Sequence, residues 1–318
     1  MSTISVIMSV RNAERSVAQS VAGVLDQSFS DLECIVINDG SMDGTGAILD
    51  DLSDQYKRLT VIHQENHGLT RSLNTAAKLA NGKYIARQDA DDFSLPSRLE
   101  KQIAALEQHD SAVLSTCWVE DVTPEGVVCG RHENLSHSVK LASGEDHPMM
   151  GIPAHGSVLM RRTAFEQAGG YRECFYYAQD SDLWLRLSEL GSFVVVPEVL
   201  YRRTLSADCI SSRYRDAQRR FCELAQSSFR AMKQGMSDQQ YVTEAESLAE
   251  ECRRRKDNAT SRYDQATSMM LLGAVLADKN PELANKYFKQ AVGTDWLHWR
   301  AWKGLLLHNW KQFCARGS

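Results

Sequence analysis

Three carboxylates, Asp89, Asp91 and Asp92, lie within four positions of one another, directly after a short β-prone segment at residues 84–86. Like charges at this spacing repel unless a cation lies among them or one carboxyl keeps its proton. Carboxylate oxygens are the ligands that hard divalent metals prefer. The cluster therefore indicates a metal site at a strand end, with a solvated acidic turn as the alternative.

The composition is that of an ordinary soluble protein. The chain has 318 residues, of which 43% are hydrophobic, so it can bury one large domain with an appendage, or two domains. Its net charge of -5 argues against a general nucleic-acid binder. The eight cysteines form no CxxC pair, which indicates reduced thiols of a cytosolic protein and argues against zinc.

Targeting and anchoring signals are not expected. No charged and then apolar leader precedes Ile4, and no apolar run approaches the roughly 18–20 residues needed to cross a bilayer. We therefore expect a cytoplasmic protein that is neither secreted by that route nor anchored by a span of its own.

Strands and helices alternate along the first half of the chain. Apolar runs typical of buried strands occupy residues 4–10, 32–37 and 59–62. Between them, apolar residues recur at helical spacing, and a third helix is predicted over residues 69–80. This alternation predicts an α/β fold with a mainly parallel sheet and helices on both faces.

Polar residues follow the strands predicted at residues 4–10 and 32–37 and the β-prone segment at residues 84–86. They are Asn12, the loop 39–43 and the acidic turn 89–92, and in a parallel sheet such loops converge beyond the carboxyl ends of the strands. The arrangement resembles a nucleotide site. No GxGxxG follows the first strand, where the sequence reads RNAER from Arg11, so a nicotinamide or flavin dinucleotide is disfavoured.

Several segments, in this order and spacing, resemble family 2 glycosyltransferases, the inverting nucleotide-sugar enzymes with a GT-A fold. The donor-side segments are ISVIMSVRNAE, LECIVINDGSMDGT, ENHGLTRSLNTA and YIARQDADD, and the acceptor-side segments are IPAHGSVLMRR and AQDSDLWLRLSELG. The resemblance covers roughly residues 1–205. It implies a GT-A domain with a mostly parallel central sheet at residues 1–215, followed by an all-α subdomain at residues 216–318.

The resemblance implies roles for the donor-side residues. Asp39 matches the aspartate that binds the base, usually uracil, whose imide N–H suits an ionised carboxylate. Asp89 and Asp91 match the DxD pair, with Asp91 as the direct ligand to a Mn2+ or Mg2+ cofactor bridging the diphosphate. Arg71 matches a basic position that contacts the nucleotide, although an exposed helix arginine is the alternative.

The first loop departs from the family pattern. The resemblance places Ser9, Arg11, Asn12 and Glu14 beside the nucleotide, but relatives carry proline and tyrosine where this chain has Ser9 and Arg11. A cation stacked on the base or paired with it would then replace an aromatic stacking contact. Thr204 is the second departure, since relatives often carry a histidine there.

The acceptor side centres on Asp180, which aligns with the family's general base. Asp182 is the second candidate, and for both the alternative is a capping role in the first turn of a helix. Burial would raise the pKa of such a base, whereas the helix dipole would lower it. Gln179 and His155 would lie near the acceptor or the diphosphate, with a structural role as the alternative for the histidine.

The last third of the chain is expected to be helical. From Asp216 on, five helices fit the pattern, with a capping box at residues 237–240 and a helix start at Asn280-Pro281. We expect this subdomain to pack on the transferase domain and to position the acceptor or a partner, with a structural cap as the alternative. Four tryptophans favour a core or partner surface, with lipid-surface docking as a further alternative: Trp296, Trp299, Trp302 and Trp310.

Together these features predict a metal-dependent inverting glycosyltransferase. Its partners would be a nucleotide-sugar donor, favoured as UDP-linked, and a glycan or lipid-linked acceptor, with no nucleic acid. Peripheral contact with the inner membrane surface and self-association are compatible with the sequence. The rival functions are a nucleotidyltransferase, which typically has a glycine-rich basic first loop, and a non-catalytic scaffold acting through its helical tail.

Overall fold

The computed structural model describes residues 2–133, 138–139, 153–205, 215–256 and 262–316. Its strands form one ten-stranded sheet. They are β1 (Ile4–Val10), β2 (Leu32–Asp39), β3 (Leu59–Gln64), β4 (Tyr84–Arg87), β5 (Phe93–Ser94), β6 (Ala112–Val122), β7 (Val128–His132), β8 (Ser138–Val139), β9 (Leu159–Arg161) and β10 (Ser192–Thr204).

Eleven α-helices lie within the residues that the structure describes. They are α1 (Val17–Leu25), α2 (Thr45–Gln55), α3 (Leu69–Leu79), α4 (Arg98–Glu107), α5 (Arg162–Gln167), α6 (Gln179–Ser188), α7 (Arg215–Lys233), α8 (Gln239–Lys256), α9 (Arg262–Leu276), α10 (Pro281–Thr294) and α11 (Trp299–Arg316). The five helices predicted for the tail are thus present.

The sheet order is β3-β2-β1-β4-β9-β6-β10-β5, with β7 beside β6 and β8 beside β10. The first four strands are parallel, as the alternation of strands and helices predicts. Strand β9 then runs antiparallel to both of its neighbours, so the sheet is mixed. Because β1 to β4 are parallel, their carboxyl ends meet at one edge and bring the predicted polar loops together there.

The core lies on both faces of this sheet. Alternate residues of β1 point to opposite sides: Val6 and Met8 pack among residues of α1 and α4, whereas Ile7 packs among residues of α3 and α6. Trp184 of α6 is fully buried in the second group. The β-branched content of the strands thus fits surfaces that are covered on both sides.

The chain divides into two compact units. The first contains residues 1–120, 131–203 and 221–249, and the second contains residues 121–130, 204–220 and 250–318. Helices α7 and α8 contribute residues to both units. The domain boundary between residues 215 and 216 stays a prediction.

The second unit is built around α9, α10 and α11. Asn280 caps α10 by accepting a hydrogen bond from the N–H of Leu283 at 3.1 Å, and Pro281 follows at the first helical position, as predicted. Gly304 of α11 lies against Phe288, where an added Cβ would come within 2.7 Å of the ring. In the described part of the chain, no helix combines the length and apolarity that crossing a membrane requires.

Candidate active site

Hydrogen bonds join the loops that follow β1 and β2. The N–H of Asn12 donates to Ser41 Oγ at 3.0 Å, and Asn12 Oδ1 accepts from the N–H of Met42 at 2.8 Å. Asn12 holds a left-handed backbone, with φ of 53°, which asparagine tolerates better than most residues. Glu14 Oε2 accepts from the N–H of Gly44 at 2.9 Å, just before α2. Asn12 and Glu14 therefore shape this edge of the sheet.

Asp39 ends β2 and orders the segment that follows β3. Its carboxylate is buried and accepts hydrogen bonds from the backbone N–H of His67 at 2.8 Å and of Gly68 at 2.9 Å. The side chain of Gln64 donates to it as well, at 2.8 Å. Three charge-assisted hydrogen bonds thus hold the segment from Gln64 to Gly68 against the end of β2.

Arg11 reaches the same segment through Asn66. When the Asn66 amide nitrogen faces Asp39, it donates to Oδ2 at 2.9 Å, and the Asn66 oxygen accepts from Arg11 Nη1 at 3.0 Å. Both Arg11 and Asn66 are exposed, and Ser9 is half-buried in β1. Asn66 is thus the fourth donor to Asp39, and it donates through an exposed side chain.

Arg71 lies on the exposed side of α3 and pairs with Glu173. Its Nε and Nη2 atoms bind the carboxylate in a fork, with Nη2 3.0 Å from Oε2. Hydrogen bonding to Glu173 and its charge raise the pKa of the guanidinium. Because both side chains are exposed, an anion in solution can compete for Arg71.

A buried cation stands behind the acidic turn. Arg87 ends β4 with its side chain fully buried, and its Nη2 lies 2.6 Å from Asp89 Oδ1. Burial works against the charge, but the attraction of Asp89 and its neighbours prevails and raises the pKa of Arg87. One oxygen of Asp89 is thus already paired with Arg87, while about a third of the Asp89 side chain remains exposed.

Asp91 makes fewer side-chain contacts than Asp89. Loss of solvent around the group and repulsion from Asp89 raise its pKa to about 6. A nearby cation would relieve that repulsion.

The donor set fits Mn2+ or Mg2+ shared with a phosphate ligand. No group of three or more acidic, histidine or cysteine side chains capable of holding a metal occurs in the described ranges. Magnesium is commonly bound by one or two carboxylates, substrate phosphates and water rather than by a cage made only of protein. Asp89 and Asp91 match that coordination pattern.

Asp92 has a structural role in the turn. It is buried, and its Oδ2 accepts a hydrogen bond from the hydroxyl of Tyr201 at 2.8 Å. The same hydroxyl accepts from the N–H of Asp89 at 3.3 Å. Gln88 donates to the carbonyls of Asp89 and Asp92, each at 3.0 Å, and so closes the turn from behind. The acidic cluster therefore comprises two carboxylates at the edge of the site, Asp89 and Asp91, and one buried carboxylate, Asp92, that holds the turn in place.

Gly156 leaves the space that Tyr201 occupies. An added Cβ at Gly156 would lie 1.9 Å from the tyrosine oxygen and 2.8 Å from Asp89 Oδ2. Arg98, fully buried on α4, donates to the carbonyl of Gly156 at 2.7 Å and to that of Arg87 at 3.1 Å. The absence of a side chain at Gly156 thus allows residues 155–157, which we call the wall of the site, to touch the acidic turn.

His155 is a neutral ring in this wall. Its Nε2 is 2.9 Å from the Tyr171 hydroxyl, and its ring meets Trp184 edge-on with centroids 6.1 Å apart. Burial, and secondarily the charge of Arg87, lower the pKa of His155 to about 3. It therefore offers a hydrogen bond to its surroundings at neutral pH rather than a positive charge.

Asp180 occupies the first turn of α6 and is half-buried. Its Oδ1 accepts from the N–H of Ser181 at 2.7 Å. Burial raises the pKa of Asp180, and the charge of Asp89 adds to the effect, while the hydrogen bonds from Ser181 oppose it. Desolvation thus outweighs the helix-end hydrogen bonds, and the carboxylate is a better proton acceptor than a solvated aspartate.

Gln179 precedes Asp180 and is 7% exposed. Its amide oxygen is buried and has no hydrogen-bond partner among the residues that the structure describes. An unpaired buried acceptor costs free energy unless a ligand supplies the donor.

Asp182, by contrast, is bound within the protein. It is 1% exposed and pairs with Arg172 and Arg186, whose Nη2 lies 2.6 Å from Oδ2. Arg172 also pairs with Asp238 at 2.9 Å, and Asp238 accepts from the Ser228 hydroxyl at 2.7 Å. These contacts join α6 to α7 and to the start of α8 and favour a structural role for Asp182.

Sequence reasoning missed the three residues that hold the acidic turn, namely Arg87, Arg98 and Tyr201. One signal was available for Arg87, because a charged residue that ends an otherwise apolar strand needs a partner when that end is buried. Arg98 and Tyr201 carry no comparable signal, since their contacts depend on strand β10 returning to the turn.

Comparisons with known proteins identify the family of this chain. The family model Glycosyl transferase family 2 matches residues 5–169. EpsE of Bacillus subtilis (strain 168), described as a glycosyltransferase, is 35% identical over 218 residues, which are 66% of this chain and 76% of EpsE. AmsE of Erwinia amylovora, an amylovoran biosynthesis glycosyltransferase, is 28% identical over 216 residues, which are 66% of this chain and 79% of AmsE.

Solved structures show the same fold. S. aureus TarS 1-349 in complex with UDP superposes with a TM-score of 0.56 at 16% identity, over 100% of this chain and 92% of that chain. The mannosyltransferase PcManGT from Pyrobaculum calidifontis, in complex with GDP-Man and Mn2+, gives 0.54 at 17% identity, over 96% and 87%. Since the family model covers more than half of the 318 residues, this chain belongs to glycosyl transferase family 2 and has the GT-A fold.

Proposed function

We propose that this enzyme transfers a sugar, with inversion, from a UDP-sugar to a hydroxyl of a cell-surface glycan or of its lipid-linked precursor. The observation that carries the proposal is the packing between the two groups of residues: Gly156 lies against Asp89 of the donor-side acidic turn, and the adjacent His155 packs against Trp184 of α6, the helix that carries Asp180. The UDP and UDP-GlcNAc complexes of TarS support the donor class. The part that AmsE takes in amylovoran biosynthesis supports the acceptor class.

The donor base would enter at Asp39. A carboxylate has about four acceptor positions, and four protein donors already use them. Asn66 donates through an exposed side chain, whereas His67 and Gly68 donate through backbone N–H groups, so the imide N–H of uracil would replace the Asn66 amide. Arg11, released from Asn66, would then stack on the base or pair with it.

Asp91 and Asp89 would hold Mn2+ or Mg2+ against the donor diphosphate. Such a cation neutralises the charge that develops on the diphosphate as it departs. Because Arg87 occupies one oxygen of Asp89, we expect Asp91 to be the principal ligand. The Mn2+ complex of PcManGT supports this cofactor class.

Asp180 would remove the proton of the acceptor hydroxyl. The acceptor oxygen then forms its bond to the anomeric carbon from the face opposite the nucleotide, the bond to the diphosphate breaks, and the configuration inverts. Burial keeps the Asp180 carboxylate basic enough for this task, and the hydrogen bond from Ser181 fixes one of its oxygens. Gln179 would accept a hydrogen bond from the bound acceptor through its unpartnered amide oxygen.

Calorimetric measurement of UDP binding to the native protein and three variants tests these roles. Calorimetry should show that Mn2+ strengthens UDP binding to the native protein and to an Asp54→Asn control on the exposed side of α2, and that Asp91→Asn loses this dependence. Asp180→Asn should keep Mn2+-dependent UDP binding. If UDP gives no heat with the native protein in the presence of Mn2+, the transferase assignment is wrong and a scaffold role takes its place.

We also propose that the reaction takes place in the cytoplasm. The support is the state of the cysteines, since five described thiols are free: Cys34, Cys117, Cys129, Cys174 and Cys222. Reduced thiols are typical of that compartment.

A further inference from the structure

Three exposed tryptophans, including the two most exposed aromatic side chains of the described residues, lie together in sequence, at the start of α11 and in the turn before it. Trp296 is 72% exposed, Trp299 61% and Trp302 43%. Leu297 and Leu306 are 70% and 64% exposed. Side chains of this size are normally covered, so a contiguous set of them marks an interaction surface.

The exposed residues of α11 share one face of the helix. Positions 299, 302, 303 and 306 recur every three or four residues. The opposite face carries Ala301 and His308, which are 0% and 4% exposed, and it packs in the second unit. The outward face is thus unoccupied by any described residue, while the inward face anchors the helix. We call the outward set, together with Trp296 and Leu297, the tryptophan face.

The charges on this helix are all positive. Arg300 and Lys303 are exposed beside the tryptophans, and Lys311 and Arg316 follow in the sequence of α11, which contains no Asp or Glu. Among the described side chains, neither Arg300 nor Lys303 has a carboxylate within ion-pairing distance. Arg300 instead lies 5.3 Å from the centre of the Trp299 ring. A basic helix of this kind stands out in a chain of net charge -5.

We propose that the tryptophan face lies on the surface of a lipid bilayer rich in anionic phospholipids. Tryptophan prefers the boundary between headgroups and acyl chains, because its ring is apolar and its N–H is polar. Arginine and lysine beside it attract anionic headgroups, and their long stems let the charge reach those headgroups while the ring is buried. Since no described helix is able to span a membrane, α11 would lie in the interface plane.

A second copy of the chain fits this face less well. Two-fold self-association would place the same patch on both sides of the interface. Lys303, which lies among the exposed tryptophans and has no acidic neighbour on the helix, would then face its own copy or another cation. An anionic surface would attract the positive charges of α11, whereas self-association would bring those charges together.

Vesicle binding tests the proposal with the whole 318-residue chain. We expect co-sedimentation with vesicles of phosphatidylcholine and phosphatidylglycerol, and much less with phosphatidylcholine alone. The double variant Trp299→Ser/Trp302→Ser should lower partitioning by about tenfold or more, since it removes the apolar contact. The double variant Arg300→Glu/Lys303→Glu should lower binding to the anionic vesicles by about tenfold or more.

The matched control is Leu79→Ser/Met236→Ser, which removes two exposed apolar side chains from the first unit. It should partition like the native protein. Donor hydrolysis should be unchanged in all three variants, because none of these residues is assigned to the active site, and retained hydrolysis also shows that each variant is folded.

Three results would overturn the proposal. One is a native protein that does not bind anionic vesicles, and another is binding that survives both pairs of α11 substitutions. The third is a dimer, seen by sedimentation velocity without lipid, that the Trp299→Ser/Trp302→Ser change abolishes, since the face would then belong to a second copy. Quenching of tryptophan emission by brominated acyl chains in the native protein would support insertion at the interface.

Discussion

At the scale of single residues, ionisation of Asp180 has opposite effects on the stability of the fold and on the proposed chemistry. Its pKa is raised above the ordinary value of 3.8, mainly by burial, so the folded protein binds this proton more tightly than the unfolded chain does. The stability that this group contributes is therefore complete below the unfolded pKa and is lost as the pH rises through the folded pKa. At neutral pH the ionised carboxylate thus destabilises the fold, although the proposed chemistry requires it to be ionised.

Asp180→Asn should separate these two effects. We expect kcat to fall by about 10²–10⁴-fold, because the acceptor loses its base. The free energy of unfolding at pH 7 should be equal to that of the native protein or higher, and the advantage should shrink as the pH is lowered toward the unfolded value of 3.8. Urea denaturation at several pH values, beside acceptor-saturated turnover, measures both. Near-normal turnover would contradict the assignment.

The residue types of the site could be predicted, but their environments could not. The order and spacing of Asp39, Asp89 and Asp91 predicted from sequence alone that these side chains follow strands at one edge of the sheet. The raised pKa of Asp91, the neutral state of His155 and the buried Arg87 depend on packing by strands and helices far away in the chain. Spacing in sequence carries no information on such packing.

At the scale of secondary-structure elements, an ion-pair network fixes α6, the helix that carries Asp180. Arg172 bridges Asp182 on α6 and Asp238 before α8, and Ser228 of α7 joins the same cluster. Removing one member of a buried ion pair leaves the remaining charges without compensation, which costs far more than losing an exposed pair.

Asp182→Asn and Asp238→Asn form a matched pair for this network. Asp182 is 1% exposed and faces two arginines, so we expect its loss to lower the free energy of unfolding by about 3 kcal/mol or more. Asp238 is partly exposed, and its loss should cost about 1 kcal/mol. Chemical denaturation measures both changes. Equal effects would show that burial does not decide the strength of this cluster.

Helix and strand positions followed from periodicity, whereas this network did not. The predicted strand at residues 32–37 is observed at Leu32–Asp39, and the helix predicted at residues 69–80 is observed at Leu69–Leu79. Such patterns reflect local burial, which repeats every two or about 3.6 residues. The partner of Arg172 at position 238 is 66 residues away, beyond the reach of any periodic signal.

At the scale of the whole molecule, the first unit includes residues from the start of the helical tail. Phe221 of α7 is fully buried, and its ring meets that of Tyr177 edge-on with centroids 6.0 Å apart. Both residues belong to the first unit, as does the Arg172 cluster. The helical region predicted to begin at residue 216 therefore supplies core residues to the unit that carries the active site.

Two truncations should differ for this reason. A chain that ends at Arg215 lacks Phe221, Ser228 and Asp238, so we expect it to be unfolded or insoluble. A chain that ends at Lys256 retains all three and should remain folded, with measurable UDP-sugar hydrolysis. Far-UV circular dichroism and thermal unfolding of both proteins provide the measurement. A soluble, cooperatively unfolding chain of 215 residues would contradict the structural role of α7 and α8.

Gly156 has a consequence for the evolution and engineering of this enzyme. The close fit between its backbone and Tyr201 leaves no volume for even a methyl group. Saturation mutagenesis at this codon should therefore yield almost no active clones, while the neighbouring Ala154, which is only partly buried, tolerates change. Redesign of acceptor preference should accordingly start elsewhere on the wall, because replacing Gly156 would displace Tyr201 and, with it, the turn that carries Asp89.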